Sequence, residues 1–458
     1  STLISHPPSA WPPFVELPRA AVHGEPPQSP LMSDIETLRF LTPETAKQAI
    51  EIAGSPCYAY DLETFKKQAT NALAFPNAYG LTVRFAMKSC PNAAILKLFD
   101  SMGLHFDCSS IHEVKRAMAA GVPAEKCSLS SQELPEGFEE YVAKGLKVNC
   151  CSLLQLEKFC TKCPGKDLGL RFNPGVGSGG TGKTNVGGPS SSFGIWHENS
   201  AKCAEMAKAA GCKVVRVHTH IGSGSDPAVW RQTTSISINL CSAFPDVATL
   251  NLGGGYKVGR MFNEKGTTLS TDCAVVQEVF SDFAAKDGRK LHLEIEPGTY
   301  LSANTGALVC TVHDIVQTGT DQGHTFIKLD SGMTEVLRPS LYGAQHPIII
   351  VPSDPARGSK RKDYVVCGHC CESGDLMTPA PGEPETLAER TLCEAAPGDI
   401  CVVEGSGAYC SAMATKNYNS FPEAGEVMIA GGKAHLVRKR QNVEDIWANE
   451  VALPAGLY

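Results

Sequence analysis

The chain lacks what a membrane protein, a nucleic-acid binder or a small disulfide-stapled domain requires. No apolar run approaches the about 20 residues of a membrane span, and HPIIIVP (346–352) falls far short of it. Charged residues make up only 19% and aromatic residues 7% of the 458 positions. No long basic run occurs, and 41 Lys and Arg stand against 48 Asp and Glu for a net charge of −7. That balance argues against nucleic acid as the main partner. The N-terminus shows no succession of charged, apolar and small residues that would mark a secretory signal. A start at Ser1 fits a processed or trimmed chain, with a removed organelle-targeting segment an open option. Cysteine, by contrast, is plentiful. The 19 residues are scattered through a large chain and read as reduced thiols in a reducing compartment, either the cytoplasm or a plastid-like interior.

Residues 1–30 hold eight prolines and read as an extended or disordered arm. From about residue 83 one theme repeats: a short apolar run, a polar turn, then a helix-like stretch. The runs are VRFAMK (83–88), HFDCSS (105–110), CSLSS (127–131), KVNCCS (147–152), LGLRFNP (168–174), VVRVHTHIGS (214–223), TLNLGGGY (249–256) and LHLEIEPG (291–298). Eight such units predict an α/β fold, a closed (β/α)₈ barrel spanning 62–303. After about residue 303 the rhythm changes to short β-like runs with Gly or Pro turns. Residues 304–458, joined by 31–61 with CYAYDLE, read as a second, mostly antiparallel β-domain closed by a helix in VEDIWANEVA.

Two local motifs invite other chemistries. GSGGTGKT (177–184) fits the phosphate-cradling pattern of nucleotide-binding loops. The following NVGGPSSSFG opposes the helix that such a loop opens, so a flexible loop on the barrel's C-terminal face is the better reading. CGHCCE (367–372) has metal-capable residues, but structural zinc wants a second well-spaced pair. CTKC (160–163) supplies one only on a barrel helix, and no metal is expected.

In such barrels, polar residues at the C-terminal strand ends are the catalytic candidates. Lys88 closes the first run, and a partly desolvated lysine has a lowered pKa and becomes nucleophilic. His220 and Ser223 follow the sixth run. Gly253, Gly254 and Gly255 follow the seventh, where backbone N–H groups can approach a phosphate. Glu296 ends the eighth. An amine, a phosphate cradle and a buried carboxylate together are what pyridoxal 5'-phosphate needs: the amine takes the aldehyde and the carboxylate keeps a proton on the pyridine nitrogen. His218 alternates with His220 along its strand and reads as structural.

The set RFAMKSC, FDCSS, LRFNPG, KTNVGG…SSFGIW, HTHIGSG, LGGGY, EIEPG, LRPSLYG, CCESGD and GAY…NYNS resembles the barrel-type pyridoxal-phosphate decarboxylases, the group of ornithine and diaminopimelate decarboxylases. CESGD and YNS favour the diaminopimelate branch. The resemblance implies that the chain decarboxylates the D-centre of meso-2,6-diaminopimelate to give L-lysine and carbon dioxide. It implies Lys88 as the cofactor's amine partner, His220 stacked on the ring, and Glu296 on the pyridine nitrogen. Ser223, Gly254, Gly255, Gly298 and Tyr409 would hold the phosphate, with Asp107 and Arg171 beneath the cofactor. Arg338 and Tyr342 would hold the distal carboxylate of a small amino-acid substrate, near Thr299 and Tyr409. Cys371, as proton donor or gate, and Glu372, on the distal amino group, would arrive from the partner subunit of a homodimer with shared sites.

Two positions depart from the pattern. EPGTY has Thr299 where many members have Arg, and NYNSFP has Phe421 where many have Arg. Either another residue compensates, Lys183 or Arg84, or the substrate is another amino acid with a different distal end.

Overall fold

The structure, a computed structural model, describes residues 36–177, 187–220, 226–319 and 321–457. The proline-rich arm, the core of GSGGTGKT with Lys183, and Ser223 lie outside these residues. The first strand, β1 (Cys57–Asp61), joins the second sheet, as the CYAYDLE reading expects. Eight parallel strands follow it: β2 (Leu81–Ala86), β3 (His105–Cys108), β4 (Cys127–Leu129), β5 (Lys147–Cys150), β6 (Asp167–Asn173), then, after the short β7 (Ile195–Trp196), β8 (Lys213–Thr219), β9 (Thr249–Asn251) and β10 (His292–Ile295). Each pairs with its neighbour, β6 directly with β8 while the short β7 adds beside β6, and β10 returns to β2, so the sheet closes on itself. The polar residues after the strands cap the helices that come next. Asp61, Asn92, Ser110, Ser152 and Asp226 each accept a backbone N–H of the first helical turn, satisfying a donor that the helix itself cannot.

Alternate side chains of the strands point inward in layers. One layer holds Arg84, Arg216 and Glu294. Glu294 lies 2.7 Å from Arg84 and 3.0 Å from Arg216. Burial works to raise Glu294, but the two guanidiniums prevail and hold it down at about 2. Above this ionic layer, toward the strand ends, lie Ala86, His218 and Glu296.

The remaining strands build the second sheet: β11 (Gly306–Gln317), β12 (Thr325–Leu329), β13 (Ile348–Val351), β14 (Arg361–Cys367), β15 (Pro379–Ala380), β16 (Glu383–Leu387), β17 (Arg390–Cys393), β18 (Ile400–Val403), β19 (Gly425–Ala430) and β20 (Lys433–Arg438). The path runs β17-β14-β12-β11-β1-β19-β20, with β18 and β13 branching from β11, and β15–β16 forms a separate ribbon. Pairing in the large sheet is antiparallel except for β1–β19 and β12–β14. The helix Pro43–Ala53 covers one face, burying Ala46, Ala49 and Ala53 against Cys57, Val309, Val402 and Val427.

The expected closing helix does not form. VEDIWANEVA gives only a 3₁₀ turn at Val443–Ile446. Trp447, Val451 and Leu453 are exposed, so no buried apolar face supports a longer helix. Among the described residues, no helix is long and apolar enough to cross a membrane.

Candidate active site

β2 stops at Ala86, and a 3₁₀ turn at Met87–Ser89 swings Lys88 over the barrel mouth. Lys88 lines one recess with Asp107, His220, Gly254, Gly255, Glu296, Gly298, Thr299 and Tyr409, leaving about 360 Å³ unfilled by atoms. The lysine keeps accessible area because it stands in this open recess, although protein crowds it on every side. Its amine is not made more acidic, as the sequence reading expects. Crowding lowers it, but Asp107, Tyr409 and Glu296 outweigh that effect and raise it above the ordinary lysine value. These neighbours thus favour the charged amine.

Glu296 is buried at the end of β10. Asn251 Nδ2 donates to its Oε1 at 2.7 Å, and His218 Nε2 stands 3.2 Å from its Oε2, off the line of a strong hydrogen bond. Burial pushes Glu296 upward; His218, with His220 and Lys88 beyond it, prevails and holds it well below the usual carboxylate range. Burial lowers His218 from the ordinary imidazole value, with Glu296 working against that effect. Asp107 behaves oppositely: burial, reinforced by Glu296, raises it to about 8. Its Oδ1 and His220 Nδ1 are buried without hydrogen-bond partners. Burial lowers His220 to about 3, helped by Arg171 and Lys88, leaving an uncharged ring facing the recess.

The glycines are required sterically. A Cβ on Gly253, whose φ is +68°, would stand 2.8 Å from the His220 ring; one on Gly254 would meet the Glu296 carbonyl at 2.5 Å. Tyr409 is held at φ +56°, a conformation non-glycine residues rarely adopt. Its N–H donates to the Ser89 carbonyl at 2.9 Å, bringing its hydroxyl beside Gly298.

Other expected residues lie apart. Arg171 stacks over Phe193 at 5.2 Å behind the recess, and its charge acts on Lys88 and His220 from there. Arg338 and Tyr342 share a short helix, with the guanidinium 5.9 Å from the tyrosine ring. Cys371 and Glu372 are exposed on a separate loop, where Asn419 Oδ1 accepts the Cys371 N–H at 2.9 Å. Arg84 is spent on Glu294 in the ionic layer and does not compensate for Thr299. His218 is not merely structural. Residues two apart on a strand share a face, so His218 and His220 do not point opposite ways, and both act on Glu296. In CGHCCE, His369 instead stacks on Phe421, centroids 3.6 Å apart. No group of three metal-capable side chains converges among the described residues.

A barrel mouth that pairs an amine with an ionised carboxylate across a glycine-lined cradle defines a pyridoxal-phosphate site. The orphaned polar atoms of Asp107 and His220 and the cradle that a Cβ would fill fit that cofactor. Residues 62–303 match the family model described as pyridoxal-dependent decarboxylase, pyridoxal binding domain. The chain is 31% identical over 406 residues to diaminopimelate decarboxylase of Escherichia coli (strain K12), covering 87% of this chain and 94% of that one. It is 32% identical over 425 residues to diaminopimelate decarboxylase of Streptomyces coelicolor, covering 89% and 92%. A crystal structure of diaminopimelate decarboxylase superposes with a TM-score of 0.83 at 30% identity, over 89% of this chain and 96% of that one. The Helicobacter pylori diaminopimelate decarboxylase complexed with L-lysine gives 0.76 at 26% identity, over 88% and 98%. The chain therefore belongs to the pyridoxal-dependent decarboxylases, in their diaminopimelate branch, and its cofactor is pyridoxal 5'-phosphate.

Proposed function

We propose that the protein decarboxylates meso-2,6-diaminopimelate at its D-centre, releasing carbon dioxide and L-lysine. The observation that carries this reading is Glu296, buried yet held ionised opposite Lys88. When bound, pyridoxal phosphate supplies the electron sink that cleavage of the carboxylate bond needs. The chain supplies orientation and charge. Lys88 is the amine that anchors the cofactor, and Glu296, fixed by Asn251 and His218, keeps the proton on the pyridine nitrogen. The His220 ring, which faces the recess, would stack on the cofactor ring. Gly254, Gly255, Gly298 and Tyr409 would hold the phosphate, and Asp107 and Arg171 would set the charge around the cofactor. Arg338 and Tyr342 take the distal carboxylate.

Cys371 and Glu372 lie outside the recess of their own chain, which supports a homodimer in which each subunit completes its partner's site. There Cys371 delivers the proton to the reacting carbon and Glu372 binds the distal amine. The many thiols support a reducing compartment, cytoplasmic or plastid-like. The test is carbon dioxide release by the purified holoenzyme from meso-diaminopimelate, lysine, ornithine, arginine and methionine. Diaminopimelate is expected to be the strongly preferred substrate; release only from another amino acid would show that Thr299 and Phe421 have shifted the specificity.

A further inference from the structure

The two arginines buried deepest among the described residues are neutralised. Arg84 and Arg216 share Glu294. Arg260 is not. It is 7% exposed, and its Nε donates to the Gly405 carbonyl at 3.0 Å. Its Nη2 is buried with no hydrogen-bond partner, and no carboxylate lies within ion-pair distance of its guanidinium among the described residues. Beside it stands Arg338, also without an ion pair among these residues, whose Nε meets His346 Nε2 at 3.2 Å. Burial brings Arg260 down to about 9, and Arg338 is the strongest of the charges adding to that effect. Burial, with both guanidiniums beside it, keeps His346 uncharged. The other charges nearby do not resolve the excess. Glu264 spends its carboxylate on the backbone N–H of Arg260 at 2.7 Å, and Arg39 adds a further positive charge.

Two guanidiniums, Arg260 buried and Arg338 half-buried, gathered without a counter-ion among the described residues form an incomplete site, because buried charge is stable only when paired. The anion they lack is a ligand's. The charge of Arg338 reaches the Tyr409 phenol, and both guanidiniums act on adjacent Cys410. The pair therefore borders the recess on its Tyr409 side, five residues along the chain from Gly255 of the cradle. Thr299 lines that recess and offers no charge.

We propose that Arg260 is a specificity-determining residue: with Arg338 it forms a two-guanidinium clamp for the substrate's distal carboxylate, the charge that Thr299 does not provide. This rests on the diaminopimelate reading above. A forked guanidinium suits a carboxylate because it donates two parallel N–H groups.

The test uses the Arg260→Met and Arg260→Lys holoenzymes. Their substrates are meso-diaminopimelate and D-lysine, which keeps the reacting centre but lacks the distal carboxylate. Arg260→Met is expected to raise KM for diaminopimelate by about 10- to 100-fold, the range for a hydrogen bond to a charged group. It should leave kcat nearly unchanged and KM for D-lysine unaltered. Arg260→Lys, which keeps the charge but loses the fork, should show a smaller rise and guards against misfolding of the first variant. Calorimetry supplies a readout independent of turnover: L-lysine binding should weaken by the same factor, and cadaverine binding should not change. Unchanged L-lysine binding in both variants would overturn the clamp. So would lost pyridoxal phosphate affinity with L-lysine binding intact, which would assign Arg260 to the cofactor. A wild-type enzyme that binds L-lysine through Arg260 but releases no carbon dioxide from diaminopimelate would refute the reaction and leave the clamp standing.

Discussion

Replacing His218 with leucine tests whether the carboxylate at the barrel mouth is held ionised by its neighbours. The imidazole stands 3.2 Å from Glu296, and Leu has a similar volume but no N–H. The contact is off-axis, so we take the lower part of the range for a hydrogen bond to a charged group, roughly 1–2 kcal/mol. Asn251 still donates to the other oxygen, so the carboxylate is weakened, not abandoned. At about 1.4 kcal/mol per tenfold change, kcat should fall roughly 5- to 30-fold. The same energy should raise the Glu296 pKa by roughly one unit. The sign follows from the starting point. In the wild type Glu296 lies well below the usual carboxylate range, so it is ionised across the assay range and is lost only as pH falls through its depressed value. In the variant that acid limb moves upward. The assay is a pH profile of kcat, with pyridoxal phosphate occupancy followed by absorbance. His218→Gln, which keeps a donor, should recover part of the loss. A His218→Leu enzyme with wild-type kcat and an unmoved acid limb would refute the reasoning.

Glu294→Gln removes the one carboxylate between Arg84 and Arg216 and leaves two uncompensated buried charges. It should destabilise the fold by roughly 3–5 kcal/mol, read as a lower urea midpoint. The stability Glu294 contributes is present above its ordinary value near 4.5 and lost as pH falls toward about 2, so acid unfolding of the wild type should steepen in that interval and flatten in the variant. Gly253→Ala puts a methyl 2.8 Å from the His220 ring at φ +68°; equilibrium dialysis should find pyridoxal phosphate affinity reduced about tenfold or more, at a strain of roughly 1–3 kcal/mol. Inactive Lys88→Ala and Cys371→Ser subunits, unfolded and refolded together, should regain activity that neither has alone. No recovery would exclude shared sites.

The barrel was legible because its evidence is local and repeated. Each unit carries an apolar run, a capping residue such as Asn92, Ser110 or Ser152, and helical spacing. The recess was legible for a related reason: strand ends converge by topology, so Lys88, His220 and Glu296 meet without any contact being predicted. What escaped depends on exact strand ends and on what lies opposite. Placing His218 and His220 on opposite faces, although residues two apart on a strand share one, assigned His218 to a structural role. The amine of Lys88 was expected to acidify because burial is visible in an apolar run, whereas facing carboxylates on other strands are not. The strand Glu383–Leu387 carries mostly exposed side chains, and Arg390–Cys393 is short and mostly half-buried, so no alternation marks them. The contribution of Arg260 could not be read from GYKVGR, since its meaning lies in the absence of a partner from a distant part of the chain.

The layer of Arg84, Glu294 and Arg216 also governs traffic. Interlocked ions fill the cylinder directly beneath the recess, so the reaction chamber has a closed floor and opens at the strand ends. Carbon dioxide and the larger product must depart by the door through which the substrate came, and whatever sits across that door sets the order in which they leave.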